Sequence, residues 1–166
     1  MVYCCNLSGY FMPIHNLMCT TVASGLQDVD LIVKSLEWMC GKEKVVMAEK
    51  TKSFHGSPIT ILRINLSRSQ SRMTLSRLGG KILTRLLKEI NQRLDHENRL
   101  HFRLNLNELV CGKIVMSNYH DSSIKMTAKI EVYPGQDPLE IARKLITESL
   151  DRCQRRGWIN KPPEIS

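Results

Sequence analysis

The sequence predicts an α+β fold in which helices pack on one face of a mostly antiparallel sheet. Two observations carry that reading. Residues 100–106 and 124–132 alternate between apolar and polar side chains, as strands with one dry and one wet face do. Residues 28–40, 71–94 and 135–156 repeat their apolar positions at helical spacing, so each has one stripe to bury. The elements follow in the order β-α-β-β-α-β-β-β-α, which suits a layered α+β sandwich. A chain of 166 residues fits one domain with its own core.

The first strand is expected over residues 14–23, "IHNLMCTTVA". Asp28 then caps a helix whose apolar stripe runs through Val29, Ile32, Val33, Leu36, Met39 and Cys40, and Gly41 ends it. "KVVMAEK" (44–50) and "ITILRINL" (59–66) are strands joined as a hairpin by "TKSFHGSP". Gly56 supplies its tight turn, and Pro58 stands at the start of the following strand, where a missing N–H costs least.

Residues 71–94 are the most periodic segment. Arg77, Lys81, Arg85 and Lys88 fall within an arc of about 80°, opposite a broad aliphatic face, and span roughly 16 Å of helix. The adjacent Gly79 and Gly80 cost about 2 kcal/mol relative to alanine, so a kink or break is expected there. Strands follow at 100–106, 112–116 and 124–132, and "GQDPLE" opens a last helix with Asp137 as cap, Pro138 behind it and Glu140 in its first turn. Residues 1–12 fit no element and are expected to be a disordered leader. The domain then covers 13–156, with a polar tail at 157–166.

Charge is distributed unevenly. The chain has 24 Lys and Arg against 16 Asp and Glu. Within residues 51–94, nine cations face Glu89 alone. Such a local positive field attracts polyanions, nucleic acid foremost. Six cysteines show no C-x-x-C spacing, which fits free thiols in a reducing cytoplasm. A metal site drawn through Cys4, Cys5, Cys19 and His15 matches no known ligand spacing, so neither metal nor other cofactor is expected. No stretch approaches the roughly 20 apolar residues that span a membrane.

Catalysis is not expected. The sequence lacks a G-x-S-x-G elbow, a P-loop, a dinucleotide-binding glycine fingerprint and an H-E-x-x-H helix. An acid/base pair of His55 and His101 is the one constellation to examine. For binding, the helical row Arg77, Lys81, Arg85 and Lys88 is the leading candidate. The wet sheet face adds Arg63, Arg103, Lys125 and Lys129, and the hairpin loop adds His55, Lys50 and Lys52 at its rim. Nine aromatic residues, with only Phe54 and Tyr133 placed as candidates for base stacking, do not make a stacking platform. The expected ligand is therefore structured or double-stranded RNA held through phosphate and shape.

With these segments in order, the chain resembles a family of small archaeal proteins described as RNA-binding-domain proteins or predicted exosome subunits. Pro13-Ile14-His15-Asn16 matches the family's opening strand, Asp28-Val29-Asp30 its helix entry, and His55-Gly56-Ser57-Pro58-Ile59 its turn and strand. Arg103-Leu104, Gly112 to Met116, and Asp121 to Pro134 match its later strands, giving coverage of about residues 13–135. Where the family reads Asp-Lys-Gln after Arg-Leu, this chain has Asn105-Leu106-Asn107. The resemblance implies a fold like that of the ribosomal protein that binds five-S RNA. It also implies a cytoplasmic role in archaeal RNA metabolism beside exosome or ribosome-related proteins. The alternative is a scaffold whose basic helix meets an acidic protein or a second copy in a homodimer.

Overall fold

Period-two apolar segments can bury one face only by pairing side by side, and here five of them do. In a computed structural model, which describes residues 13–118 and 120–158, the order is β1 (Ile14–Ser24), α1 (Val29–Cys40), β2 (Val46–Lys52), β3 (Pro58–Leu66), α2 (Arg68–Arg77), α3 (Gly80–Lys88), α4 (Ile90–Arg93), β4 (Arg99–Asn105), α5 (Leu106–Val110), β5 (Ser123–Ile130) and α6 (Pro138–Arg155). The strands form one antiparallel sheet ordered β2-β3-β1-β5-β4. The expected leader lies outside the described residues, as does all of the polar tail beyond Trp158.

Leu17, Cys19 and Ala23 of β1, Leu62, Ile64 and Leu66 of β3, Leu100, Phe102 and Leu104 of β4, and Ile124, Met126, Ala128 and Ile130 of β5 form one buried face. Leu36 and Met39 of α1, Leu75 of α2, Leu83 and Leu86 of α3, and Leu145 and Ile146 of α6 complete the core. The helices thus form a single layer and leave the other sheet face open. Removing this much aliphatic surface from water, at roughly 25 cal/mol per Å², is the main force holding the layers together.

Capping follows the sequence closely. Asp28 accepts from the Leu31 N–H and Asp137 from the Leu139 N–H, while Gly41 closes α1 at φ 68°. Gly56 takes φ 82° in the β2–β3 hairpin, whose turn closes through Ser53 N–H to Ser57 O at 2.8 Å and Gly56 N–H to Ser53 O at 2.8 Å.

One expected element is corrected. Residues 112–116 are not a strand. Asn105 instead caps the short helix α5, its Oδ1 accepting from the Glu108 N–H at 3.0 Å, and Gly112 turns the chain out of that helix at φ 80°. Only a Leu104–Met116 bridge, flanked by Asn105 N–H to Val115 O and Ser117 N–H to Arg103 O, touches the β4 edge. The segment 71–94 breaks at its glycine pair, as expected, and a second time at Glu89, where α4 begins. Gly79 adopts φ 94° and ψ 159°, a conformation other residues rarely reach, and separates α2 from α3.

Candidate nucleic-acid interface

Strand register decides which outward side chains stand together. Thr20 pairs with Arg63 on one side and Lys125 on the other, and Lys125 pairs with Arg103. Arg63, Lys125 and Arg103 therefore lie in one row across β3, β1, β5 and β4, at about 4.8 Å per strand and about 14 Å end to end. Arg99 and Lys129 pair four residues further along the same face. Four of the predicted site residues, Arg63, Arg103, Lys125 and Lys129, are thus brought together.

Their partners leave much of the charge available. Arg103 Nη1 donates to Ser123 Oγ at 3.1 Å, and Arg63 Nη1 donates to Glu49 Oε2 at 3.0 Å. Lys129 Nζ donates to the Glu97 carbonyl and Arg99 pairs with the Glu97 carboxylate. Among the described residues no carboxylate lies within 4 Å of Lys125 or Arg103.

In the midst of this face stands His101, between Arg99 and Arg103 along β4 and opposite Thr127 of β5. Its Nε2 lies 2.6 Å from Asp95 Oδ2, so that nitrogen carries the proton and donates. Burial works against ionisation of Asp95. Hydrogen bonds from His101 and from the Arg99 and Glu97 N–H groups overcome it and hold this carboxyl at about 2. Arg99 and the His101–Asp95 pair were not selected as binding residues from sequence. Arg99 sits one residue before the expected strand start, and counting back two from His101 is the signal that finds it. His55 lies on the β2–β3 hairpin at the far edge of the sheet from β4, so the two histidines do not meet.

The helical row does not survive as four. Arg77 ends α2 and turns inward, its Nη2 donating to the Trp38 carbonyl at 2.8 Å beside Gly41. The α1 C-terminus, where carbonyl dipoles converge, recruits this cation, and Trp158 covers it at 5.9 Å. Burial lowers its pKa below the usual guanidinium range, and its Nε has no hydrogen-bond partner. Lys81, Arg85 and Lys88 of α3 remain exposed, lining an open groove of about 480 Å³ with Gly80, Thr84, Glu89, Leu150 and Gln154. Glu89 there binds both Arg85, at 2.9 Å, and Arg93, and these bonds lower its own pKa. This groove belongs to the helical layer, on the opposite side of the molecule from the open face. Lys50, Lys52 and His55 are exposed around the hairpin end.

Cys19, Cys40 and Cys153 are buried free thiols, and the described residues contain no group of metal-ligating side chains. Cys4 and Cys5 lie outside them. No helix among the described residues is long and apolar enough to cross a membrane.

The sheet is one-sided, and cations are arrayed across its open face. The family model described as RNA binding matches residues 16–130, which is most of the domain, and the chain belongs to this RNA-binding family. Among solved structures it is similar to a DUF54 protein from Archaeoglobus fulgidus, with TM-score 0.68 and 22% identity over 80% of this chain and 99% of that one. A DUF54 protein from Methanothermobacter thermautotrophicus aligns with TM-score 0.65 and 25% identity over 82% and 98%. One from Sulfolobus solfataricus gives 0.60 and 16% over 81% and 98%, a likeness of fold. No curated protein matches the chain.

Proposed function

We propose that this protein is a non-catalytic RNA-binding factor that holds the RNA backbone on its open sheet face. The observation that carries the reading is the cross-strand row Arg63, Lys125 and Arg103, with Lys129 and Arg99 beside it. Exposed guanidinium and ammonium groups at this spacing can each meet a phosphate and release its counterions. His101, oriented by Asp95, adds a directional contact. A non-catalytic role is supported by the separation of His55 from His101 at opposite sheet edges. We place the protein in the cytoplasm as an accessory to archaeal RNA processing, beside exosome or ribosome-related proteins, as its resemblance implies.

Ultraviolet crosslinking in the native cells tests this. Crosslinked peptides from β4 and β5, with the attached RNA sequenced, are the expected result. Crosslinks confined to α3 would move the site to the helical layer, and an absence of bound RNA would remove the function. A second reading, an acidic protein or second copy seated on the α3–α6 groove, draws on the exposed Lys81 and Lys88 lining it. It predicts partners that survive nuclease treatment.

A further inference from the structure

The open face is not uniformly charged. Its β4–β5 half carries most of the cations, whereas β2, β3 and β1 add the outward apolar side chains Met47, Ile61 and Val22 among polar ones. Met47 pairs with Arg63, and Ile61 pairs with Val22. Met47 is 62% exposed and Val22 50%, and Phe54 is wholly exposed at the tip of the hairpin that prolongs β2 and β3. Val22 and Ile61 are direct cross-strand neighbours and Met47 lies diagonal to Ile61, so exposed apolar side chains cluster here around the Arg63–Glu49 pair and offer a surface that a partner can cover. Arg63 stands within it, anchored on Glu49, and a guanidinium plane fixed on a carboxylate can stack on a base while its charge reaches a phosphate.

We infer that this apolar quarter receives unpaired nucleobases of the same RNA whose phosphates lie on Lys125 and Arg103. The ligand class is then a loop, bulge or single strand. This departs from the duplex expectation drawn from the scarcity of aromatic residues. An uninterrupted duplex buries its bases and offers phosphates and 2′-hydroxyls, which would leave Met47, Val22 and Ile61 wet. Unstacked bases present flat apolar faces that aliphatic side chains and an arginine plane can cover. The apolar quarter adjoins the cationic row through Arg63, so one strand can run from one to the other. The inference rests on the RNA-binding reading and adds the state of the bases to it.

The test compares a hairpin RNA with an unpaired loop against a fully paired duplex of matching length, by fluorescence anisotropy on the full chain. Val22→Thr with Ile61→Thr keeps β-branched residues in the strands, so the fold should survive, and circular dichroism checks that. Phe54→Ser is the independent second variant, because it lies in a turn and supports no core. The expected result is tighter binding of the looped RNA, with about a tenfold loss of that binding in each variant and no change for duplex. Equal or tighter duplex binding, or wild-type looped-RNA binding in both variants, overturns the inference and leaves the RNA-binding reading standing. Loss of self-association by sedimentation with RNA binding intact also overturns it and assigns the patch to a second copy. Binding of neither RNA by the wild-type protein overturns the functional reading itself.

Discussion

Two surfaces of this molecule carry a run of cations, and they differ in what else those side chains touch. On the open sheet face, Lys125 and Arg103 have no carboxylate within 4 Å among the described residues, and their spacing is fixed by strand register. In the helical layer, Arg77 is spent on the Trp38 carbonyl and Arg85 on Glu89, leaving Lys81 and Lys88 exposed. A cation row read from a helical wheel assumes that every member faces water. A sheet row needs only that the face stay uncovered, and no helix among the described residues covers it.

The comparison can be broken at several levels. Phe102 lies under the sheet between His101 and Arg103 and is 2% exposed. Phe102→Ala should destabilise the protein by about 3–5 kcal/mol. Chemical denaturation should still show one transition, because both layers share one core; separate transitions for sheet and helices would contradict that. Arg77→Ala tests the other surface. It should cost about 2 kcal/mol, through loss of a charged hydrogen bond to a helix end, and leave RNA affinity unchanged. If affinity fell with stability intact, Arg77 would belong to the interface after all.

Asp95→Asn sharpens the sheet side. The folded-state pKa of Asp95 is depressed from 3.8 to about 2, so the stability it provides is complete above about pH 4 and is lost as the pH falls through about 2. Full burial would make such a shift worth roughly 2 kcal/mol, and solvent screening at this partly exposed site reduces it to about 1 kcal/mol. Thermal melts should show the variant less stable by that amount at neutral pH and equal to the parent below pH 2. A constant difference across this range would contradict the assignment. The smallest effect is expected for Lys81→Ala with Lys88→Ala, a change in RNA dissociation constant under about threefold, since charges on the far layer act through screening solvent. A tenfold loss by titration would place RNA on the helices.

Legibility followed the strength of local rules. The strands expected at 100–106 and 124–132, observed at Arg99–Asn105 and Ser123–Ile130, were readable because alternation survives wherever one face is dry. The caps at Asp28 and Asp137 and the turn at Gly56 were readable because their chemistry is local. Residues 112–116 misled because "GKIVM" has strand composition, while the competing signal, Asn105 capping a five-residue helix, is weak in sequence. The glycine pair announced the break between α2 and α3, yet not the inward turn of Arg77, which depends on the end of a helix nearly forty positions away. Of the site, the cations Arg63, Lys125, Arg103 and Lys129 were named correctly as facing one way. Their arrangement in rows needed the order β2-β3-β1-β5-β4, which no local pattern encodes. The His101–Asp95 contact was hidden because Asp95 lies in the turn before the strand.

The salt dependence of RNA binding tests the central claim most directly. For single-stranded RNA, each phosphate contact contributes about 0.7 to the slope of log affinity against log salt. Lys125→Glu with Arg103→Glu should therefore flatten that slope by about 1.4 or more, while Lys81→Glu with Lys88→Glu leaves it unchanged. The reverse outcome, a parental slope in the sheet variant and a flattened one in the helix variant, would contradict binding on the open face.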